Sequence, residues 1–174
     1  YKGGGCSMKL LVMSDTHKDI MAMEEVIRLY TEKVDAIIHC GDSELEASFF
    51  LDIPVSIVKG NCDYDLGFPE EKIISLEDQT ILIVHGHRHQ VKSTILPLNY
   101  RAQEVGATIV CFGHSHLLGA ELQNGILFVN PGSLHKPRGR KEKSYSIIEK
   151  QKDHWQVLFF SSDHKLLEEV TFNF

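Results

Sequence analysis

The apolar positions of the chain fall into short runs separated by polar turns. Residues 9–14 are an apolar run closed by Asp15, the pattern of a buried strand. Across 19–33, Ile20, Met23, Val26, Ile27 and Tyr30 recur at helical spacing, and Asp19 is placed to cap the first turn. Further strands at 36–40 and 54–58 stop at Gly41 and Gly60, with a short helix predicted between them over 45–51. This strand–helix–strand–helix–strand order implies parallel strands joined by right-handed crossovers. The rest of the chain turns back more often. Strands at 72–76 and 80–84 flank Glu77, Asp78 and Gln79 as a hairpin. Strands at 120–123 and 126–129 flank Asn124-Gly125, a strong signal for a tight turn. Residues 108–112 read as one more buried strand, and 145–149, 155–160 and 170–174 as closing strands. A helix is expected over 94–105, although Pro97 and Asn99 weaken its pattern. The sum is one α/β domain with a parallel first half and a more antiparallel second half.

Composition narrows this picture. A chain of 174 residues, 43% hydrophobic, suits one domain with its own core. No apolar run reaches the roughly 20 residues of a membrane helix, so no membrane partner is expected. With 24 acidic against 18 basic residues the net charge is -6, which argues against bulk nucleic-acid binding. Residues 1–7, which include Cys6, read as an expression scar, leaving a single domain over 8–174. Cys40, Cys62 and Cys111 are odd in number and lack CxxC spacing. Neither a disulfide framework nor a thiolate zinc site follows, and a cytoplasmic setting is expected.

Candidate chemistry gathers where strands end. Asp15 and His17 follow the first strand, Asp42 the second, and Asn61, Cys62 and Asp63 the third. His85 and His87 follow the strand at 80–84, and His114 and His116 the one at 108–112. Ligand sites in open α/β sheets form beyond the carboxyl ends of the strands. Any one of these residues alone reads as a solvated loop side chain, but five strand ends together point to one site. Oxygen and imidazole donors without thiolate suit Mn²⁺, Fe, Zn²⁺, Co²⁺ or Ni²⁺, and the imidazoles argue against Ca²⁺ or Mg²⁺. Asp15, His17, Asp42, Asn61, His85, His114 and His116 exceed what one tetrahedral ion holds. Two ions sharing a bridging carboxylate would use them all. Asp15/His17 and His114/His116 are i, i+2 pairs, which in extended backbone project to one side.

In chain order, Asp-x-His, Gly-Asp, Gly-Asn-x-Asp, His and Gly-His-x-His resemble the calcineurin-like metallophosphoesterase superfamily. Gly-Asn-Cys-Asp in place of Gly-Asn-His-Asp, the His85-Gly86-His87 run, Asn130-Pro131-Gly132-Ser133 and the short chain are similar to its small YfcE-like phosphodiesterase branch. The resemblance implies an α/β fold of two mixed β-sheets packed as a sandwich flanked by helices, in four layers α/β/β/α. It implies two divalent transition-metal ions, manganese preferred, with zinc, iron, nickel or cobalt as alternatives. Asp15, His17 and His116 would hold one ion, and Asn61, His85 and His114 the other. Asp42 would bridge them, and His87 would stand close by without coordinating. The implied reaction is hydrolysis of a small or activated phosphodiester by attack of a hydroxide bridging the two ions. Asn61, Cys62, Asp63 and His87 are the candidate catalytic residues. Cys62 stands where many relatives carry an imidazole, so proton delivery to a basic leaving group is weakened.

Two other functions stay open on the sequence: a phosphomonoesterase, and a catalytically silent protein-binding module of the same fold, as in the retromer subunit. The complete set of coordinating residues favours an enzyme. The turn at 130–133 either seals the site with backbone N–H groups or is structural. Lys136, Arg138, Arg140, Lys141 and Lys143 form either a solvated loop or a basic rim that steers phosphates. His39 belongs to the core or supports the site from behind.

Overall fold

The computed structural model describes residues 8–174, so the expected scar over 1–7 lies outside the described residues. In chain order the elements are β1 (Met8–Met13), α1 (Ile20–Tyr30), β2 (Ala36–His39), β3 (Val55–Ile57), β4 (Glu71–Leu76), β5 (Gln79–Val84), α2 (Leu96–Val105), β6 (Ile109–Cys111), β7 (Gly119–Gln123), β8 (Ile126–Asn130), β9 (Ser144–Lys150), β10 (His154–Ser161) and β11 (Leu166–Asn173). The strands form two mixed sheets, in the orders β11-β10-β9-β1-β2-β3 and β4-β5-β6-β8-β7.

Burial explains the layering. β1 is apolar on both faces because both are covered. Leu10 and Val12 point inward with Ile38, and meet Ile81, Ile83, Ile109, Cys111, Leu127 and Val129 of the second sheet. Leu11 and Met13 point outward and pack on Met23, Val26 and Ile27 of α1. On the far side, Leu82, Val84, Val110 and Phe128 take Leu98 and Ala102 of α2. The result is the expected α/β/β/α order. Asp19 caps α1 by accepting from the Ala22 N–H at 3.2 Å. Pro97 lies in the first turn of α2, where a missing N–H costs nothing. Asn99 is buried and donates to Gln123 Oε1, while Gly106 closes the helix at φ 70°.

Two expectations are corrected. The chain does not divide into a parallel and an antiparallel half. β1, β2 and β3 run parallel, but the antiparallel run β9–β11 completes the same sheet by pairing β9 with β1. The middle of the chain builds the second sheet, where β5, β6 and β8 are parallel between antiparallel edges. The helix predicted over 45–51 is a single 3-10 turn, Ala47–Phe50, of which only Phe50 is buried. Among the described residues no helix is long and apolar enough to cross a membrane.

Candidate metal centre

The carboxyl ends of β1, β2, β3, β5 and β6 all deliver loops to one end of the sandwich. The loops approach so closely that glycine is required between them. A Cβ on Gly60 would overlap Asp42 Oδ1 and lie 2.6 Å from its backbone N. One on Gly113 would overlap Ser14 Oγ and lie 2.6 Å from Asp15 Oδ2.

Six of the seven candidate donors meet around two buried carboxylates, and Asn61 joins from the surface. His116 Nε2 lies 3.1 Å from Asp15 Oδ1 and 3.4 Å from His17 Nε2. His17 Nε2 is 3.8 Å from Asp15 Oδ1 and 4.0 Å from Asp42 Oδ2. On the other side, His85 Nε2 lies 3.1 Å from Asp42 Oδ2, 3.0 Å from Asn61 Oδ1 and 3.2 Å from His114 Nδ1. Asp42 Oδ2 thus stands between His17 and His85. Asp15 Oδ1 is also 3.8 Å from His85 Nε2.

Three of the four imidazoles, those of His17, His85 and His116, are aimed by a partner behind them. His85 Nδ1 donates to the Cys40 carbonyl at 2.8 Å and His116 Nδ1 to the Lys136 carbonyl at 2.6 Å. His17 Nδ1 meets Glu44 Oε1 at 2.6 Å. A carbonyl can only accept, so Nδ1 of His85 and of His116 carries the proton and Nε2 faces the cluster with its lone pair. Asp15 Oδ1 is buried and has no hydrogen-bond partner, although three imidazole nitrogens surround it. A buried carboxylate oxygen without a donor is costly unless a cation completes it. This orphaned oxygen and the inward Nε2 atoms fit divalent metal.

The matching family model is the calcineurin-like phosphoesterase superfamily domain, over residues 8–153. The chain belongs to that superfamily. It is 39% identical to a probable metallophosphoesterase, YsnB of Bacillus subtilis, over 94% of this chain and 96% of the relative. The phosphodiesterase YfcE of Escherichia coli K12 is 27% identical over 82% of this chain and 88% of its own. A conserved protein of Streptococcus pneumoniae, a predicted phosphoesterase, superposes with TM-score 0.92 at 38% identity, covering 96% of this chain and 98% of the other.

The electrostatics of this phosphoesterase site follow from burial and pairing. Burial would raise the pKa of Asp15 and of Asp42. The imidazoles of His116 and His85 beside Asp15, and of His85 beside Asp42, outweigh it, and both carboxyls lie below their ordinary value. Burial would lower the pKa of His85, but Asp42 and Asp15 leave it raised. His114 lacks such a partner; burial and then the charge of His85 take it down to about 4.

Two expectations need revision. The paired donors converge, but not through extended backbone: Asp15, His17, His114 and His116 have φ of 53°, 41°, 71° and 61°. Tight left-handed turns, rather than alternation along a strand, aim the side chains. Asp63, a candidate catalytic residue, is buried and engaged by backbone. Its Oδ2 accepts from Asp42 N at 2.9 Å and Gly60 N at 2.7 Å, and its Oδ1 from Glu44 N at 2.7 Å. It is a positioning residue that fixes Asp42. Of the two readings of the turn at 130–133, its bonds support the structural one. Ser133 Oγ donates to the Asp15 carbonyl at 2.7 Å, and Asn130 Nδ2 to Ser115 Oγ at 2.9 Å.

Cys62 donates its backbone N–H to Asp42 Oδ1 at 2.8 Å. Burial first, and then the Asp42 carboxylate, push its thiol up to about 11. The ring of His87 lies 5.5 Å from that of His85 and 6.2 Å from that of His114, with Nδ1 buried and unpartnered. His39 supports the site from behind, with Nε2 3.0 Å from Thr16 Oγ1 and Nδ1 accepting from Gly41 N. Glu44, which orients His17, escaped the sequence reading; its position two residues after Asp42 was the available signal.

Proposed function

We propose that this phosphoesterase is a binuclear-metal phosphodiesterase acting on small or activated diesters. Asp15, His17 and His116 hold one cation, Asn61, His85 and His114 the other, and Asp42 reaches both. The observation that carries this reading is Asp15 Oδ1, buried without a donor in a ring of imidazole nitrogens. Two such ions supply Lewis acidity toward phosphate and lower the pKa of water from 15.7 to about 7. The donor types suit manganese, zinc, iron, nickel or cobalt equally, with manganese as our preferred ion.

The chain's own residues then decide the substrate class. A thiol is a poorer proton donor to a leaving oxygen than an imidazolium, so Cys62 gives little general-acid assistance. Ester groups that depart unaided are favoured. Asp63 fixes the loop that carries Asp42 and reaches no substrate. Arg138 is exposed and its backbone N–H donates to the His116 carbonyl at 3.0 Å, which sets a positive charge at the rim. The name of YfcE, a phosphodiesterase, supports the same class.

The test is kcat/KM for matched aryl mono- and diesters under each of several divalent ions, in the wild type and in Cys62→His. Diester hydrolysis should dominate in the wild type, and the substitution should raise the monoester rate several-fold more than the diester rate. An unchanged ratio with metal content intact would remove Cys62 as the determinant of substrate class. Absence of any metal-dependent hydrolysis would overturn the enzyme reading.

A further inference from the structure

Among the described residues, three groups of metal-ligating side chains stand close together. Two of them, Asp15/His17/His116 and Asp15/Asp42/His85, belong to the centre described above. The third is His17, Glu44 and Cys62, whose ligand atoms all lie within 4.8 Å of one another. It shares His17 with the centre, uses neither Asp15 nor Asp42, and is the one group that contains sulfur. We infer that this corner is an inhibitory site for a thiophilic divalent cation, Zn²⁺ in excess, which competes with the catalytic ion for His17. The competition rests on the metal-centre reading above; the soft-ion site itself does not.

The fold builds the corner from two turns. Glu44 follows β2 at a φ of 57°, and Cys62 follows β3. Asp63 ties the turns together, accepting from Glu44 N at 2.7 Å through Oδ1, and from Asp42 N at 2.9 Å and Gly60 N at 2.7 Å through Oδ2. The Cys62 N–H is held in turn on Asp42 Oδ1 at 2.8 Å. With both backbones fixed, Glu44 Oε1 lies 2.6 Å from His17 Nδ1 and the Cys62 sulfur stands beside the pair. All three side chains are partly exposed, so an ion reaches them from solvent without opening the core. Cys40 and Cys111 are buried and offer no such access.

The donor set selects the ion. Manganese prefers oxygen and nitrogen, whereas a thiolate draws zinc or cadmium. One sulfur, one imidazole nitrogen and one carboxylate leave a fourth tetrahedral position for water. The sulfur binds as thiolate, so its proton passes to solvent as the metal–sulfur bond forms. Thiolate and carboxylate together then offset the double charge of the ion. The cost falls on the catalytic centre, because Glu44 is the partner that aims His17. Once Glu44 and the ring serve the thiophilic ion, the catalytic ion loses a ligand and the support behind it.

Cadmium is the probe, because its bond to a thiolate adds an ultraviolet absorption band. Added to Mn²⁺-loaded protein, Cd²⁺ should raise this band and suppress hydrolysis over the same concentration range. Tenfold more free Mn²⁺ should shift that range upward by about tenfold, as mass action requires of ions that share a ligand. Cys62→Ser should abolish the band, and Glu44→Gln should weaken cadmium binding by about tenfold or more. A wild type without the band, a band that survives Cys62→Ser, or cadmium binding unmoved by Glu44→Gln would overturn the site. A band that appears at the same Cd²⁺ concentration whatever the Mn²⁺ level would overturn the competition for His17. If Mn²⁺ does not bind at all, the metal-centre reading falls and takes the competition with it. The cadmium band in metal-free protein then still decides whether the corner holds a soft ion.

Discussion

The interior of the sandwich and the loops at its one end are built by opposite rules. Between the sheets, Leu10, Val12, Ile38, Ile83 and Val129 are fully buried and apolar, on regular strands. At the strand ends, five of the seven donors (Asp15, His17, Asp42, His114 and His116) sit in the left-handed region, which side chains rarely adopt. Each such residue costs of order 1–3 kcal/mol. Asp15 adds a buried oxygen without a donor. The interior therefore supplies stability that the loops draw down, and the strained turns are what make the donors converge. Conformation and chemistry are separable here by region.

Substitutions should expose that separation. The largest expected effect is on activity. Asp15→Asn should lower metal-dependent kcat/KM by about 10³-fold or more, yet change the stability of the metal-free protein by less than about 1 kcal/mol. Ile83→Ala should do the reverse: a loss of about 2–5 kcal/mol in denaturant unfolding, with kcat/KM of the folded enzyme within about threefold of wild type. If Asp15→Asn unfolds the protein, or Ile83→Ala silences it while folded, the two regions are not independent.

A smaller effect lies on the border between them. Burial holds the His39 imidazole down to about 4, against an ordinary value of 6.5. A base with a lower pKa folded than unfolded contributes its full stability above 6.5. That contribution falls as pH drops toward 4, by at most about 3 kcal/mol. His85 and His116 have raised pKa values and oppose this trend, so the readout is a difference. In metal-free protein, wild type should lose stability between pH 7 and pH 4.5 more steeply than His39→Gln. Parallel curves would mean that His39 is not held neutral by the fold.

Much of this was legible in the sequence, for physical reasons. Apolar runs with polar stops gave the strands, because a sheet covered on both faces tolerates little else. The donor set was legible because Asp, Asn and His recurred at strand ends, where α/β topology gathers them. What stayed hidden depends on distant parts of the chain. Nothing local to Ser144–Lys150 says that it pairs with Met8–Met13. Pro97 and Asn99 looked like interruptions of α2, yet one fits its first turn and the other bonds Gln123. The left-handed turns at Asp15 and His114 were invisible because neither is a glycine. Asp63 looked catalytic from its motif, and only the positions of three backbone N–H groups show what it holds.

If the strained loops build the proposed two-ion site around Asp42, metal stoichiometry shows it most directly. Elemental analysis of protein saturated with Mn²⁺ and then desalted should find two ions per chain in the wild type. Asp42→Ala should disturb both, while His116→Ala should mainly weaken one and keep the other. A wild type that never exceeds one ion per chain, or an Asp42→Ala variant that still holds two, would contradict the account.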